Sequence, residues 1–140
     1  NPYDTPEQID VRKNQPDPWV MYLIVRENLG MSSGKIGAQC GHAVGMVYGW
    51  YFSQFEKGMW DDKTEHSVAC FEAWQKDSYR KVVLRASDKE WEKIKKELEC
   101  FVVTDAGFTQ VEKGSETVIA LLPMRKSEAP KIIKKLQCLG

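Results

Sequence analysis

At 140 residues the chain is long enough for one sizeable core and too short for two full domains. Lys plus Arg number 20 and Asp plus Glu number 20, so the formal net charge is zero and no global positive field is available to hold nucleic acid. Hydrophobic residues make up 42% and charged residues 29%, as in an ordinary soluble domain, and no apolar run reaches the length of a membrane span. Any nucleic-acid partner must be held by a local patch.

Residues 1–18 are rich in proline, lean acidic and carry few apolar side chains. They predict an extended or poorly ordered arm ahead of one domain, residues 19–140. Residues 21–25 are apolar enough for a strand buried on both faces. Gly30 and Gly34 punctuate the loop that follows, and Ser32 or Ser33 caps a helix from Lys35 to about Tyr51. Residues 53–67 read as a polar loop, in which Asp61, Asp62 and His66 are solvated and not a metal set. A short helix at 68–75 precedes a second strand at 81–86. Ser87 caps a patterned helix at 88–99, with Trp91, Ile94 and Leu98 on its buried face. Strands at 100–104 and 117–122 follow, and a helix at 127–136 closes the chain, with Pro130 in its first turn.

Strands alternating with helices imply an α/β fold, three α/β/α layers around a mixed four-stranded sheet. No helix separates the last two strands, so the fourth runs antiparallel to the third. The end of strand three and the start of strand four then share a rim with the end of strand one. That topology lets Asp105, Thr109 and Thr117 converge on Lys35, where ligands sit in α/β sheets.

Cys40, Cys70, Cys100 and Cys138 show no CxxC spacing and no paired histidines, which speaks against zinc and for reduced thiols in a cytosolic setting. Helical spacing puts Lys35, Gln39 and His42 on one stripe, beside a core stripe of Ile36, Cys40, Ala43 and Val47. The helix dipole disfavours a cation in a first turn, so Lys35 stands where propensity would not place it. A basic group beside free backbone amides suits a phosphate or an oxyanion. The spacing is not that of a nucleotide-binding P-loop: one residue is missing between Gly30 and Gly34, and Ile36 follows the lysine.

Taken together, GKIGAQCGHA, KVVL, DAGFTQ and GSETV stand in an order and at distances that resemble the type 2 peptidyl-tRNA hydrolases of archaea and eukaryotes. The resemblance spans nearly all the chain after the arm. It implies hydrolysis of the ester joining a peptide to the terminal ribose of tRNA, recycling tRNA from peptides dropped by the ribosome, with no metal and no cofactor. It also implies a homodimer without a membrane anchor, in the cytoplasm, to which association with mitochondria is not opposed. Carried over, Lys35, Asp105, Thr109 and Thr117 are the catalytic set. Gln39, Cys40, His42, Gln110 and Ser115 support it. Arg26, Arg80, Lys81 and Arg85 are expected to meet tRNA as a basic patch near the site. Phe108 stands where family members usually carry Arg or Lys, and could stack on an unpaired base. Residues 53–67 look longer than the family's usual connection.

Water attack on such an ester builds negative charge on the carbonyl and ribose oxygens, which a fixed cation and hydroxyl donors stabilise. Lys35 takes that role; Asp105 either orients Lys35 or positions the water. Two other classes compete: a non-catalytic module binding RNA or protein on the same fold, and a thiol redox protein resting on Cys40.

Overall fold

Alternation along Trp19–Arg26 (β1) sends Val20, Tyr22 and Ile24 to one face of the sheet and Met21, Leu23 and Val25 to the other, and all six are buried. A strand buried on both sides needs a helical layer on each face. The computed structural model describes residues 3–13, 16–107 and 111–140 and supplies both layers. Ser33–Gln54 (α2) and Asp62–Asp77 (α3) cover the Met21 face, where Ala43, Val47, Phe71 and Trp74 are fully buried. Asp88–Glu97 (α4) and the short Lys131–Lys134 (α5) cover the Tyr22 face through Trp91, Ile94 and Ile133.

The sheet is mixed, as expected. Its order is β3 (Phe101–Thr104), β4 (Glu116–Ala120), β1, β2 (Lys81–Ala86) and β6 (Gln137–Cys138). β1 and β2 run parallel, while β4 is antiparallel to both β1 and β3. Six strands replace the expected four, the additions being two-residue pieces: β5 (Met124–Arg125) pairs with the start of β1, and β6 with β2. The ends of β1, β2 and β3 and the start of β4 lie along one rim.

Three segments depart from expectation, each for a local reason. The arm contains a helix, Pro6–Lys13 (α1). Thr5 Oγ1 accepts from the Gln8 N–H at 3.2 Å and Gln8 Oε1 accepts from the Thr5 N–H at 2.8 Å, a reciprocal cap with proline tolerated just inside it. The polar stretch 53–67 is mostly helical: α2 runs on to Gln54, and Asp61 starts α3 by accepting from the Thr64 N–H at 2.7 Å. What is left of the loop is tied back by Trp60, whose indole donates to the Gln54 carbonyl at 2.7 Å. Asp61 is thus a helix cap, and the hydrogen bonds from the Thr64 side chain and N–H hold its carboxyl below the ordinary value.

The closing helix is broken in two. Pro130 pushes Ala129 to an extended conformation, φ −59° and ψ 131°, between a 3₁₀ turn at Lys126–Glu128 and α5. Helix α4, by contrast, follows the pattern. Ser87 Oγ accepts from the Glu90 N–H at 3.2 Å and Glu90 Oε1 accepts from the Ser87 N–H at 2.9 Å. Ser87→Ala should therefore lower unfolding stability by about 1 kcal/mol in urea titrations, with Ser87→Asp close to wild type.

Candidate active site

Two backbone turns at the shared rim hold the candidate pair. On the first, Ser32 is the cap: its Oγ accepts from the Lys35 N–H at 3.3 Å, which fixes Lys35 in the first turn of α2. On the second, Asp105 follows β3. Its N–H donates to the Ser115 carbonyl at 2.8 Å, and its carbonyl accepts from the Gly114 N–H at 2.9 Å. Gly107 has φ +85° and donates its N–H to Asp105 Oδ2 at 2.6 Å. A Cβ on Gly107 would fall 2.6 Å from the Lys113 Cβ and 2.9 Å from its Cα, so only glycine fits this turn.

Between the turns, the Lys35 ammonium donates to Asp105 Oδ1, and the two side chains are only 8% and 3% exposed. The hydrogen bond from Lys35 holds the Asp105 carboxyl below its ordinary value; the Gly107 N–H and the lysine charge act in the same direction, against burial. Asp105 is accordingly a carboxylate at neutral pH.

Thr117, at 0% exposure, donates from Oγ1 to Gln39 Oε1 at 2.5 Å and lies 3.5 Å from the Val103 carbonyl. This bond ties α2 to β4 one helical turn beyond Lys35. Ser115 contributes its backbone carbonyl to the Asp105 turn. Cys40 packs partly buried against the core, and burial pushes its thiol up, away from the reactive thiolate that a redox reading needs. All four cysteines are free. His42 is exposed on the stripe of Lys35 and Gln39. Phe108, Thr109 and Gln110 lie outside the described residues.

A nearly buried ammonium–carboxylate pair is suited to stabilising developing negative charge, and relatives of the chain bear the names of hydrolases. The family model described as Peptidyl-tRNA hydrolase PTH2 matches residues 19–139. The chain belongs to that family. A peptidyl-tRNA hydrolase of Methanocaldococcus jannaschii is 33% identical over 125 residues, covering 85% of this chain and 98% of the relative. One of Methanopyrus kandleri is 32% identical over 123 residues, covering 84% and 95%. A probable peptidyl-tRNA hydrolase 2 of Drosophila melanogaster is 32% identical over 129 residues, 88% of this chain but 63% of the longer relative.

For a peptidyl-tRNA hydrolase, the expected basic patch needs correcting. Arg80 and Lys81 stand at the start of β2, opposite the rim that carries Lys35. Five residue steps along β2 separate Lys81 from Ala86, roughly 17 Å at strand rise. There Arg80 borders a cleft of about 400 Å³ with Val20, Tyr22 and Lys134, and Lys81 lies 5.4 Å over the Trp74 ring. Arg26 and Arg85 are on the correct rim but engaged. Arg26 Nε donates to Asp88 Oδ1 at 2.9 Å, while Arg85 donates to Gln137 and lies 3.9 Å from Glu27.

Sequence reading also missed Lys113, which lies directly over Gly107. It missed Glu116 too, which accepts from Lys95 at 2.7 and 2.9 Å and from the Trp91 indole at 3.1 Å. No local pattern marks either, because their neighbours are set by turn closure and sheet pairing.

The depressed Asp105 pKa makes its ion pair pH-sensitive in a defined direction. A carboxyl held below its unfolded value of 3.8 adds stability above that pH, and the contribution is lost as pH falls through the folded value. The stability gap between wild type and Asp105→Asn should be constant near neutrality and shrink below about pH 4, as read by urea midpoints. A gap that stays constant down to about pH 3 would show that the carboxylate adds nothing through its charge.

Proposed function

We infer that the chain hydrolyses the ester between a peptide, or an N-blocked aminoacyl group, and the terminal ribose of tRNA. The observation that carries this reading is the nearly buried Lys35–Asp105 pair at the rim where the strand ends converge. A lysine held by a carboxylate places a fixed positive charge where negative charge develops on the carbonyl or leaving ribose oxygen. Because the charge is oriented before the substrate arrives, little reorganisation is needed at the moment of attack.

Asp105 is read as the group that orients Lys35. A carboxylate held below its ordinary pKa is a weak proton acceptor, and both its oxygens already accept hydrogen bonds, one from Lys35 and one from Gly107. Thr117 acts through Gln39: the fully buried hydroxyl is poorly placed to attack a substrate but well placed to hold α2 in register over β4. Water is then the nucleophile, and no covalent intermediate on Thr117 is required. Dimerisation, residence in the cytoplasm and rescue of tRNA from peptides dropped by the ribosome belong to the same proposal and rest on family membership. No helix among the described residues is long and apolar enough to cross a membrane.

The test is release of tRNA from an N-blocked aminoacyl-tRNA by the purified protein. Lys35→Ala and Asp105→Ala should each lower kcat by at least about 100-fold, with the fold retained by circular dichroism. Near-normal turnover in both variants would reject the pair as the catalytic centre. Tight binding by wild type without product release would instead support a binding module.

A further inference from the structure

If the substrate is peptidyl-tRNA, a phosphate one nucleotide from the scissile ester must be accommodated beside Lys35 and Asp105. The cations already described at this rim are engaged within the protein. Lys35 is held by Asp105, Arg26 by Asp88, Lys95 by Glu116, and Arg85 by Gln137 near Glu27. Lys113 differs. It is exposed, and among the described residues it takes part in no ion pair, with Glu112 or with any other carboxylate.

Its position is fixed by the same turn that builds the site. The Gly114 N–H donates to the Asp105 carbonyl and the Asp105 N–H to the Ser115 carbonyl, which fixes the backbone just after Lys113 to Asp105. The backbone of Lys113 crosses Gly107 so closely that a Cβ there would meet it at 2.9 Å, and Gly107 in turn donates to the Asp105 carboxylate. The stem of Lys113 therefore starts against Gly107, the residue whose N–H holds the Asp105 carboxylate, and the side chain is exposed.

We propose that Lys113 is a substrate-binding cation that takes the phosphate preceding the terminal ribose of tRNA, and so sets the preference for tRNA-linked esters over short ones. This rests on the hydrolase reading, and the experiment separates the two. Two substrates are compared: an N-blocked aminoacyl-tRNA, and the same N-blocked aminoacyl ester on adenosine, which has no phosphate. For Lys113→Ala, kcat/KM on the tRNA substrate should fall about tenfold relative to the adenosine ester, through KM and not kcat. Lys113→Glu should lose more, and Lys113→Arg should recover most of the preference.

The salt dependence gives a second readout that a structural role would not move. One phosphate contact contributes about 0.7–0.9 to the slope of log affinity against log salt, and Lys113→Ala should flatten the slope by that amount. An unchanged preference and an unchanged slope would overturn the assignment to Lys113, as would equal losses on both substrates. Wild-type protein that cleaves neither substrate would reject the hydrolase reading itself.

Discussion

A lysine and an aspartate, each almost wholly removed from water, face one another across two backbone turns, and much of the fold serves to keep them there. Taking both charges out of solvent is unfavourable unless their geometry is fixed and their remaining hydrogen-bonding capacity is met. The chain meets this demand mainly with backbone groups. Ser32 pins the turn that bears Lys35, while Gly107, Gly114 and Ser115 pin the turn that bears Asp105. The result is an ammonium whose direction is set before any substrate arrives. Asp105 also offsets the cost of holding a cation at the positive end of α2.

The turns meet because of how β4 is inserted. Placed between β3 and β1 and antiparallel to both, it brings its start to the rim where the other strands end. Its first residue is also an anchor. The Glu116 carboxylate binds Lys95 and Trp91 of α4, and its carbonyl lies 3.5 Å from the Arg26 guanidinium of β1. On the opposite face the next residue, Thr117, reaches Gln39 of α2. Two adjacent residues of one strand thus fasten both helical layers at the height of the site, as the alternation of a strand allows. The register shift between Val103 and Thr104 occurs beside this point, where β3 leaves the ladder and Asp105 begins its turn.

What the sequence made legible follows from the range of the forces involved. The double-faced burial of β1, the Ser87 cap and the face of α4 are local patterns, and they stand as read. The convergence of Lys35 and Asp105 was legible because it depends only on strand order and direction. Composition misleads where a specific hydrogen bond outweighs it. The stretch 53–67 is polar, yet Asp61 caps a helix inside it. The arm is rich in proline, yet Thr5 and Gln8 close a cap around Pro6. Charge alone points to Arg80 and Lys81, but a strand places charges at both of its ends. Tracing β2 from Lys81 to Ala86 would have put them at the far rim.

A chain with zero net charge and an anionic substrate has to make its positive potential locally. Here Arg26, Lys35 and Lys95 are each paired with a carboxylate of the same chain, a pattern that fixes geometry and leaves little net field. Ions paired in this way are poor at attracting a polyanion from a distance, because beyond a Debye length of about 8 Å the pair is nearly invisible. Attraction must come from charges without a carboxylate partner, and catalysis from charges with one. The two tasks pull in opposite directions: a cation free enough to catch a phosphate is too mobile to stabilise a developing oxyanion. The proposed arrangement answers both demands through the backbone bonds of Asp105 with Gly114 and Ser115, which tie the fixed carboxylate to the residues just after the exposed Lys113.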